Sequence, residues 1–190
     1  VDDRTFAQFA RQFVYDRAPL DVRIDKTIET DDWKLEAISV NAAYNGERLP
    51  INVYLPRHGT PPYLPVVLFP GSGVFFESHF DPNIVNAYRD YTFLMKSGRA
   101  LIIPVYKSTF ERQDSVHSDL ADESVAYKDH VVMWVKDYSR TIDYLETRKD
   151  MRADQIAFLG ASWGGFVALR AARAAPERLR HLALLAPRDG

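Results

Sequence analysis

The stretch Gln155–Gly165, which reads QIAFLGASWGG, decides the fold of this chain. The apolar run Ile156–Leu159 has the length of a strand, and it leads into GASWG at 160–164, a match to the pattern G-x-S-x-G. The residues that follow, Phe166–Arg173, favour a helix. A strand that turns sharply into a helix at this pattern lifts the serine, here Ser162, above the C-terminal edge of a parallel sheet. Such a serine is placed to act as a nucleophile.

The two outer glycines of the pattern have a mechanical reason to be glycine. The sharp turn forces the serine backbone into a strained conformation, and the strand and helix then pass very close to each other. Side chains at Gly160 and Gly164, two residues before and after Ser162, would collide. The alternative is a glycine-rich turn with an idle serine, but the flanking strand and helix favour the nucleophile.

Composition limits the classes of function. Of the 190 residues, 46% are hydrophobic and 26% are charged, and the net charge is −2. This balance predicts one globular domain over residues 1–190 and gives no sign of a nucleic-acid partner.

The absence of cysteine excludes disulfides, thiolate metal sites and cysteine nucleophiles. No apolar run is long enough to span a membrane. Pairs such as Asp129-His130 lack a third ligand at metal spacing, so we predict no metal site.

The order of the elements predicts an α/β fold with an antiparallel start. An amphipathic helix precedes three strands in which apolar and polar residues alternate, and continuous apolar strands then alternate with helices. That alternation implies right-handed crossovers and a mostly parallel sheet with helices on both faces. The predicted helices are Thr5–Tyr15, Asn83–Lys96, Glu123–Thr147 and Trp163–Ala174. The predicted strands are Asp21–Thr30, Trp33–Ala42, Leu49–Leu55, Val66–Phe69, Ala100–Val105, Ile156–Leu159 and Leu182–Leu185.

A serine nucleophile needs donors for the negative charge of the tetrahedral intermediate. The backbone N–H of Trp163, directly after the serine, is the first donor. The second is expected from the loop after the first buried strand, where small residues let backbone amides approach the substrate oxygen. We assign the amides of Ser72 and Gly73 in that loop, with Gly71 as their neighbour. An ordinary glycine turn after a strand is the alternative.

Tyr106 and Arg112 follow the strand Ala100–Val105, at the sheet edge where substrates bind in open α/β sheets. Tyr106 is expected to line a pocket. Arg112 is expected either to pair with a substrate carboxylate or to hold its own loop in place, and the structural role is favoured. Trp134, at helical spacing with two valines, is expected in the core.

Three blocks of sequence carry a family resemblance: LFPGSG at 68–73, PVYKSTFER at 104–112 and DYSRTIDYLETRKD at 137–150. Together with the serine pattern, they resemble the α/β hydrolases, in the branch near the prolyl-oligopeptidase and dienelactone-hydrolase groups. More narrowly, the chain is similar to bacterial hydrolase domains that are found fused to serine/threonine protein kinase domains. The resemblance implies the α/β-hydrolase fold, hydrolysis of a small-molecule ester or amide without a cofactor, and a kinase-domain fusion in the parent protein.

The resemblance also implies groups that this sequence lacks. In these families the triad acid comes one strand after the last strand found here, and the histidine follows the final strand, so both are expected beyond residue 190. The chain resembles the N-terminal two-thirds of a hydrolase, and alone it is expected to be inactive, because a serine without its base is a weak nucleophile. The strand Leu182–Leu185 would be an uncovered sheet edge, which predicts self-association.

Residues inside the chain offer alternatives for the missing groups. Three histidines are expected at or near the catalytic face: His79, His117 and His130. For each of them a surface or structural role is favoured over the role of the base that takes the serine proton. His58 and His181 are expected at the opposite edge of the sheet. Asp189, just past the last strand, is an alternative triad acid, although the resemblance places the acid one strand later.

Ser162 and its oxyanion donors together predict a serine hydrolase that cleaves a carboxylic ester or amide through an acyl-enzyme. Two alternatives stay open. One is a serine peptidase of the prolyl-oligopeptidase type, since the resembling families include both activities. The other is a non-catalytic binding or regulatory module on a hydrolase scaffold. Its signature would be loss of the serine or of the oxyanion glycines, and this sequence retains both.

Overall fold

The structure, a computed structural model, describes residues 2–87, 91–116, 123–174 and 181–185. Within these ranges seven strands form one mixed sheet. The strands are β1 (Arg23–Glu29), β2 (Trp33–Asn41), β3 (Arg48–Pro56), β4 (Leu64–Phe69), β5 (Arg99–Pro104), β6 (Ala157–Ala161) and β7 (His181–Leu185). The helices are α1 (Asp3–Ala10), α2 (Ile84–Ala87), α3 (Thr92–Lys96), α4 (Val125–Thr147) and α5 (Trp163–Ala174). Short turns of 3-10 helix occur at Arg11–Phe13, Ser72–Phe75, Phe110–Arg112 and Ala153–Gln155.

The sheet has an antiparallel half and a parallel half. Its strand order is β1-β2-β3-β5-β4-β6-β7. Neighbours from β1 through β2 and β3 to β5 pair antiparallel, and neighbours from β5 through β4 and β6 to β7 pair parallel. The predicted α/β architecture with an antiparallel start is therefore confirmed. Because β4 pairs with β6, with Phe69 opposite Gly160, the ends of these two strands lie together at one edge.

Apolar side chains fill both faces of the sheet. On one face, Phe69 of β4 and Phe158 of β6 pack with Trp134 of α4 in the larger core cluster. Trp134 is fully buried, which confirms its expected place in the core. On the other face, Trp33 and Met95 belong to a second cluster. In the described ranges every helix is too short or too polar to cross a membrane.

The prediction of one continuous helix over Asn83–Lys96 is wrong. The segment contains the short helices α2 and α3, and residues 88–90 lie outside the described ranges. The N–H of Tyr91 donates to the carbonyl of Val85 at 2.8 Å. An α-helix bonds each N–H to the fourth residue before it, so this longer-range bond shows that the chain leaves the helical path. The N-terminal helix also ends earlier than expected, at Ala10, and continues as a 3-10 turn.

The last strand of the described sheet, β7, presents apolar side chains to solvent. Leu182 and Leu184 are exposed, and so are Phe166 and Leu169 of α5, the helix that packs next to β7. Leu184 lies on the α5 side of the strand, where its side chain approaches Gly165. This end of the sheet is the place at which the sequence predicts association.

We expect the 190-residue chain to self-associate through β7, because an uncovered strand edge with apolar side chains invites pairing. In sedimentation velocity the wild-type chain is expected to form dimers or larger species. Replacing both Leu182 and Leu184 by lysine is expected to shift the distribution towards monomer, since charges on an edge strand oppose pairing. A wild-type chain that stays monomeric as its concentration rises contradicts this expectation.

Candidate active site

Ser162 occupies a sharp turn between β6 and α5. The strand ends at Ala161, the helix begins at Trp163, and the backbone of Ser162 between them has φ +52°. This is the left-handed region, which costs a residue with a side chain about 1–3 kcal/mol and persists only where surrounding structure imposes it. The N–H of Gly165 donates to the Ser162 carbonyl at 2.9 Å, which closes the turn. Among the described residues the Ser162 hydroxyl has no hydrogen-bond partner.

The close approach of backbones around the serine confirms the argument made for the two glycines. A Cβ atom on Gly164 would lie 2.5 Å from the carbonyl oxygen of Pro70 and would overlap the carbonyl oxygen of Phe69 still more. A Cβ atom on Gly160 would lie 2.5 Å from the Cα atom of Gly165. The first turn of α5 thus rests directly on the end of β4 and on β6, with no room for a side chain.

The loop after β4 runs beside Ser162. A Cβ atom on Gly71 would lie 3.8 Å from the Cβ atom of Ser162, and the 3-10 turn Ser72–Phe75 follows at once. The N–H groups of Ser72 and Gly73 donate to no protein acceptor in the described ranges, and the same holds for the N–H of Trp163. The first amides of a helical turn have no partner within it, which leaves them free to bind another acceptor.

Tyr106 does not line a pocket, and that expectation is corrected. Its side chain is completely buried, its ring stacks on Phe69 with the ring centroids 4.6 Å apart, and its hydroxyl donates to the Leu68 carbonyl at 3.3 Å. Burial raises the pKa of Tyr106 well above its usual value. The residue follows β5 as predicted, but the chain turns its side chain back under the sheet edge into the core.

Arg112 has the structural role that the sequence favours. Its guanidinium is buried and donates to the Asp137 carboxylate at 2.7 Å, to the Val105 carbonyl at 2.8 Å and to the Tyr44 hydroxyl at 2.6 Å. A fourth contact, with Glu47, measures 3.2 Å. Burial opposes the positive charge of Arg112, but the Asp137 carboxylate and the hydrogen bonds to Asp137 and Tyr44 together outweigh this effect and raise the pKa of Arg112 above its usual value. These partners hold Arg112 in a structural role, in which it joins its own loop to α4 and to the connection between β2 and β3.

His130 belongs to a polar cluster that sequence reasoning missed. Its Nδ1 lies 2.7 Å from the Ala126 carbonyl oxygen, and its Nε2 lies 3.0 Å from both oxygens of Asp114. Asp114 also accepts a hydrogen bond from Ser108 and pairs with Lys107. Burial opposes the charge of Asp114, but the hydrogen bonds from Ser108, from His130 and from the Val116 N–H together outweigh it and lower the pKa of Asp114 to about 2. His130 lies sixteen positions from Asp114, so no local sequence pattern predicts the cluster.

None of the four histidines in the described ranges is placed as a partner for Ser162. Both ring nitrogens of His130 are engaged, and Nδ1 of His79 lies 3.1 Å from the hydroxyl of Ser78. His58 lies before β4 and His181 starts β7, at the opposite ends of those strands from the serine, as expected. His117 and Asp189 lie outside the described residues. In the described part of the chain no three His, Asp or Glu side chains are grouped to hold a metal ion.

Solved structures of esterases share this arrangement of strands and helices. Acetyl xylan esterase 1 from Thermoanaerobacterium sp. JW/SL YS485 matches with a TM-score of 0.68 at 12% identity, over 93% of this chain and 56% of that chain. This chain has the α/β-hydrolase fold. A glucuronoyl esterase from Solibacter usitatus matches with a TM-score of 0.58 at 16% identity, over 96% of this chain and 59% of that chain. A prolyl endopeptidase matches with a TM-score of 0.54 at 16% identity, over 82% of this chain and 21% of that chain.

The chain spans little more than half the length of the two esterases. No protein-family model and no curated protein matches its sequence. At these low sequence identities the likeness to the α/β hydrolases is a likeness of fold.

Substituting alanine at Gly164 tests the contact between α5 and β4. We expect Gly164→Ala to lower the free energy of unfolding by about 3 kcal/mol, the upper range for an overpacked core, because backbone atoms leave no space for the methyl group. Gly73→Ala is the control, since a Cβ atom there would meet nothing within 4 Å and is expected to change stability by less than about 0.5 kcal/mol. Urea denaturation measures both, and equal effects would contradict the packing described.

The cluster around Asp114 predicts part of the loss of folding stability at low pH. A carboxyl whose pKa falls from 3.8 unfolded to about 2 folded contributes stability that is present above pH 3.8 and is lost as the pH falls towards 2. We therefore expect urea denaturation at pH 5 and pH 3 to show a smaller loss for Asp114→Asn than for the wild type. Ser108→Ala, which removes one of the hydrogen bonds, is expected to lie between them. Identical losses in all three proteins would show that Asp114 makes no such contribution.

Proposed function

We propose that the protein is a serine hydrolase that cleaves a carboxylic ester or amide through an acyl-enzyme on Ser162. The observation that carries this proposal is the strained backbone of Ser162, held at φ +52° between β6 and α5 with its hydroxyl unpartnered among the described residues. Strain of this kind in a residue with a side chain is typical of functional sites. Three unoccupied backbone amides, those of Ser72, Gly73 and Trp163, lie on the segments that flank the serine.

The proposed reaction begins when Ser162 Oγ attacks the carbonyl carbon of the substrate, and the electron pair of the C=O bond moves onto oxygen. The amides of Trp163, Ser72 and Gly73 then hydrogen-bond the oxyanion, and the bare Cα of Gly71 leaves the approach open. Loss of one such donor typically raises the barrier by about 2.7–4 kcal/mol. A histidine takes the serine proton and passes it to the leaving group as the tetrahedral intermediate collapses and the bond between the carbonyl carbon and that group breaks. Water then attacks the acyl-enzyme and gives a proton to the histidine, the carboxylic acid is released, and the histidine returns the proton to Ser162.

The histidine and its acid are proposed to lie beyond residue 190. The histidines in the described ranges have other partners or other positions, and the resemblance to the hydrolase families puts both groups later in the chain. The same resemblance also implies a fusion to a protein kinase domain, and this stays a prediction. Reading the gene on either side of this segment tests it, since a fusion requires a kinase domain in the same reading frame.

An ester is the favoured substrate class. Two of the structural matches are esterases, one for acetyl xylan and one for a glucuronoyl ester. The match to a prolyl endopeptidase keeps a peptidase as the second candidate. Comparing hydrolysis of p-nitrophenyl acetate with that of a prolyl p-nitroanilide separates the two classes. A non-catalytic module is the third candidate, and it predicts that neither compound reacts.

The test of Ser162 is its labelling by a fluorophosphonate, read by intact mass, with Ser162→Ala as the control. We expect little or no adduct on the 190-residue chain, which lacks the proposed base. A single adduct is expected on the protein that continues past Gly190, and it should disappear in Ser162→Ala.

Each other outcome has a definite meaning. An adduct on the 190-residue chain that disappears in Ser162→Ala would support the nucleophile but place the base within residues 1–190, with His117 the first to be tested. An adduct that persists in Ser162→Ala, or no adduct on either protein, would refute the proposed role of Ser162.

A further inference from the structure

Three aromatic side chains meet beneath the candidate active site. Phe75, Trp134 and Trp163 form an aromatic triangle in which the Phe75 and Trp163 rings lie 4.7 Å apart and the Trp134 and Trp163 rings 4.8 Å apart, centroid to centroid. The third side, between Phe75 and Trp134, measures 6.3 Å. The two shorter contacts are edge-to-face, a geometry that aromatic pairs prefer and that adds to the energy of burial.

Each corner of the triangle comes from a different part of the chain. Phe75 ends the 3-10 turn that begins at Ser72, after β4, and Trp163 begins α5 directly after Ser162. These are the two segments that supply the amides of the proposed oxyanion hole. Trp134 comes from the middle of α4 and supplies no amide, but its ring touches both of the others.

The rings of Trp163 and Trp134 are fixed in different ways. The indole N–H of Trp163 is buried and has no hydrogen-bond partner in the described ranges, so packing alone orients this ring. The indole N–H of Trp134 donates to the Lys107 carbonyl at 2.8 Å, and the residue is fully buried. Trp134 is therefore the anchored member of the triangle, and the other two rings rest against it.

We propose that Trp134 is a positioning residue for the oxyanion hole, an inference that rests on the proposed function of Ser162. By holding the Phe75 and Trp163 rings together, Trp134 sets the distance between the amides of Ser72 and Gly73 on one side and that of Trp163 on the other. A displacement of about 1 Å at a catalytic group can cost about a hundredfold in rate. Loss of the Trp134 anchor therefore acts on the chemical step rather than on substrate affinity.

The test compares Trp134→Phe with Trp33→Phe. Trp33 is also a buried tryptophan with an edge-to-face aromatic partner, Tyr54, but it belongs to the core on the other face of the sheet. The two variants undergo the same chemical change at similar burial, and only one touches the triangle. Phe75→Leu is a second variant that removes a different corner and leaves the Trp134 anchor in place.

The first readout is amide hydrogen exchange of the 190-residue chain, followed by mass spectrometry of peptides covering residues 70–76 and 160–166. We expect faster exchange in both peptides for Trp134→Phe and for Phe75→Leu, and wild-type exchange for Trp33→Phe.

The second readout is the rate of fluorophosphonate labelling as a function of reagent concentration. It is measured on whichever protein the reagent labels, the 190-residue chain or the protein that continues past Gly190. For Trp134→Phe and Phe75→Leu the maximal labelling rate is expected to fall by about tenfold or more, as for a partly misplaced oxyanion hole. The half-saturating concentration is expected to change by less than about twofold, since reagent binding is not what Trp134 controls.

Two results would overturn the positioning role. One is wild-type exchange and a wild-type maximal rate in Trp134→Phe, and the other is an equal loss of rate in Trp33→Phe. If the wild-type protein is never labelled, the proposed function fails and the positioning role in catalysis fails with it. Hydrogen exchange then still decides whether Trp134 holds the two segments together, so the two failures are distinguishable.

Discussion

The contact between the first turn of α5 and the end of β4 is the constraint on which the rest of the site depends. At Gly164 the helix lies against the carbonyl groups of Phe69 and Pro70, so closely that a methyl group would overlap them. That approach requires an abrupt turn after β6, and the turn forces Ser162 into the left-handed region. The same approach brings Gly71 beside Ser162. The strain of the serine and the position of its neighbouring amides are thus two results of one packing contact.

A second set of contacts holds the loop after β5, and it comes from one face of α4. His130, Trp134 and Asp137 are spaced by four and three residues, which places them on the same side of a helix. Lys107 meets two of them through its backbone: its N–H donates to Asp137 at 3.0 Å, and its carbonyl accepts from Trp134. His130 reaches the same loop through Asp114. One helix face therefore holds the loop by two hydrogen bonds to the Lys107 backbone and by two side-chain pairs, His130 with Asp114 and Asp137 with Arg112.

The buried pair of Arg112 and Asp137 gives this attachment its energetic weight. Removing one partner of a fully buried ion pair typically destabilises a protein by about 3–5 kcal/mol, because the remaining charge is left without compensation. Arg112 also bonds Tyr44 and Glu47, from the connection between β2 and β3, so the pair ties the antiparallel half of the sheet to α4. The loop contains two further residues with positive φ, Ser108 and Phe110, and these contacts hold it in that conformation.

The parts of the fold that follow local rules could be predicted from the sequence. The strands, α4, α5 and the roles of Gly160 and Gly164 follow from periodicity and from the spacing of one motif. The burial of Tyr106 could not be predicted, because the residue after a strand can turn towards solvent or core and tertiary packing decides which. The pairing of His130 with Asp114 joins residues sixteen positions apart, on a helix and a loop. The helix predicted over Asn83–Lys96 fails in the same way, since the bond between Tyr91 and Val85 belongs to no helical pattern.

A crystal structure of the fluorophosphonate adduct tests the central claim most directly, since it shows the nucleophile and the oxyanion hole in one observation. The predicted result is a phosphorus atom bonded to Ser162 Oγ, with the phosphonyl oxygen within hydrogen-bond distance of the Trp163 amide and of the amide of Ser72 or Gly73. A phosphorus atom on any other residue would contradict the claim. So would a phosphonyl oxygen that turns away from these amides.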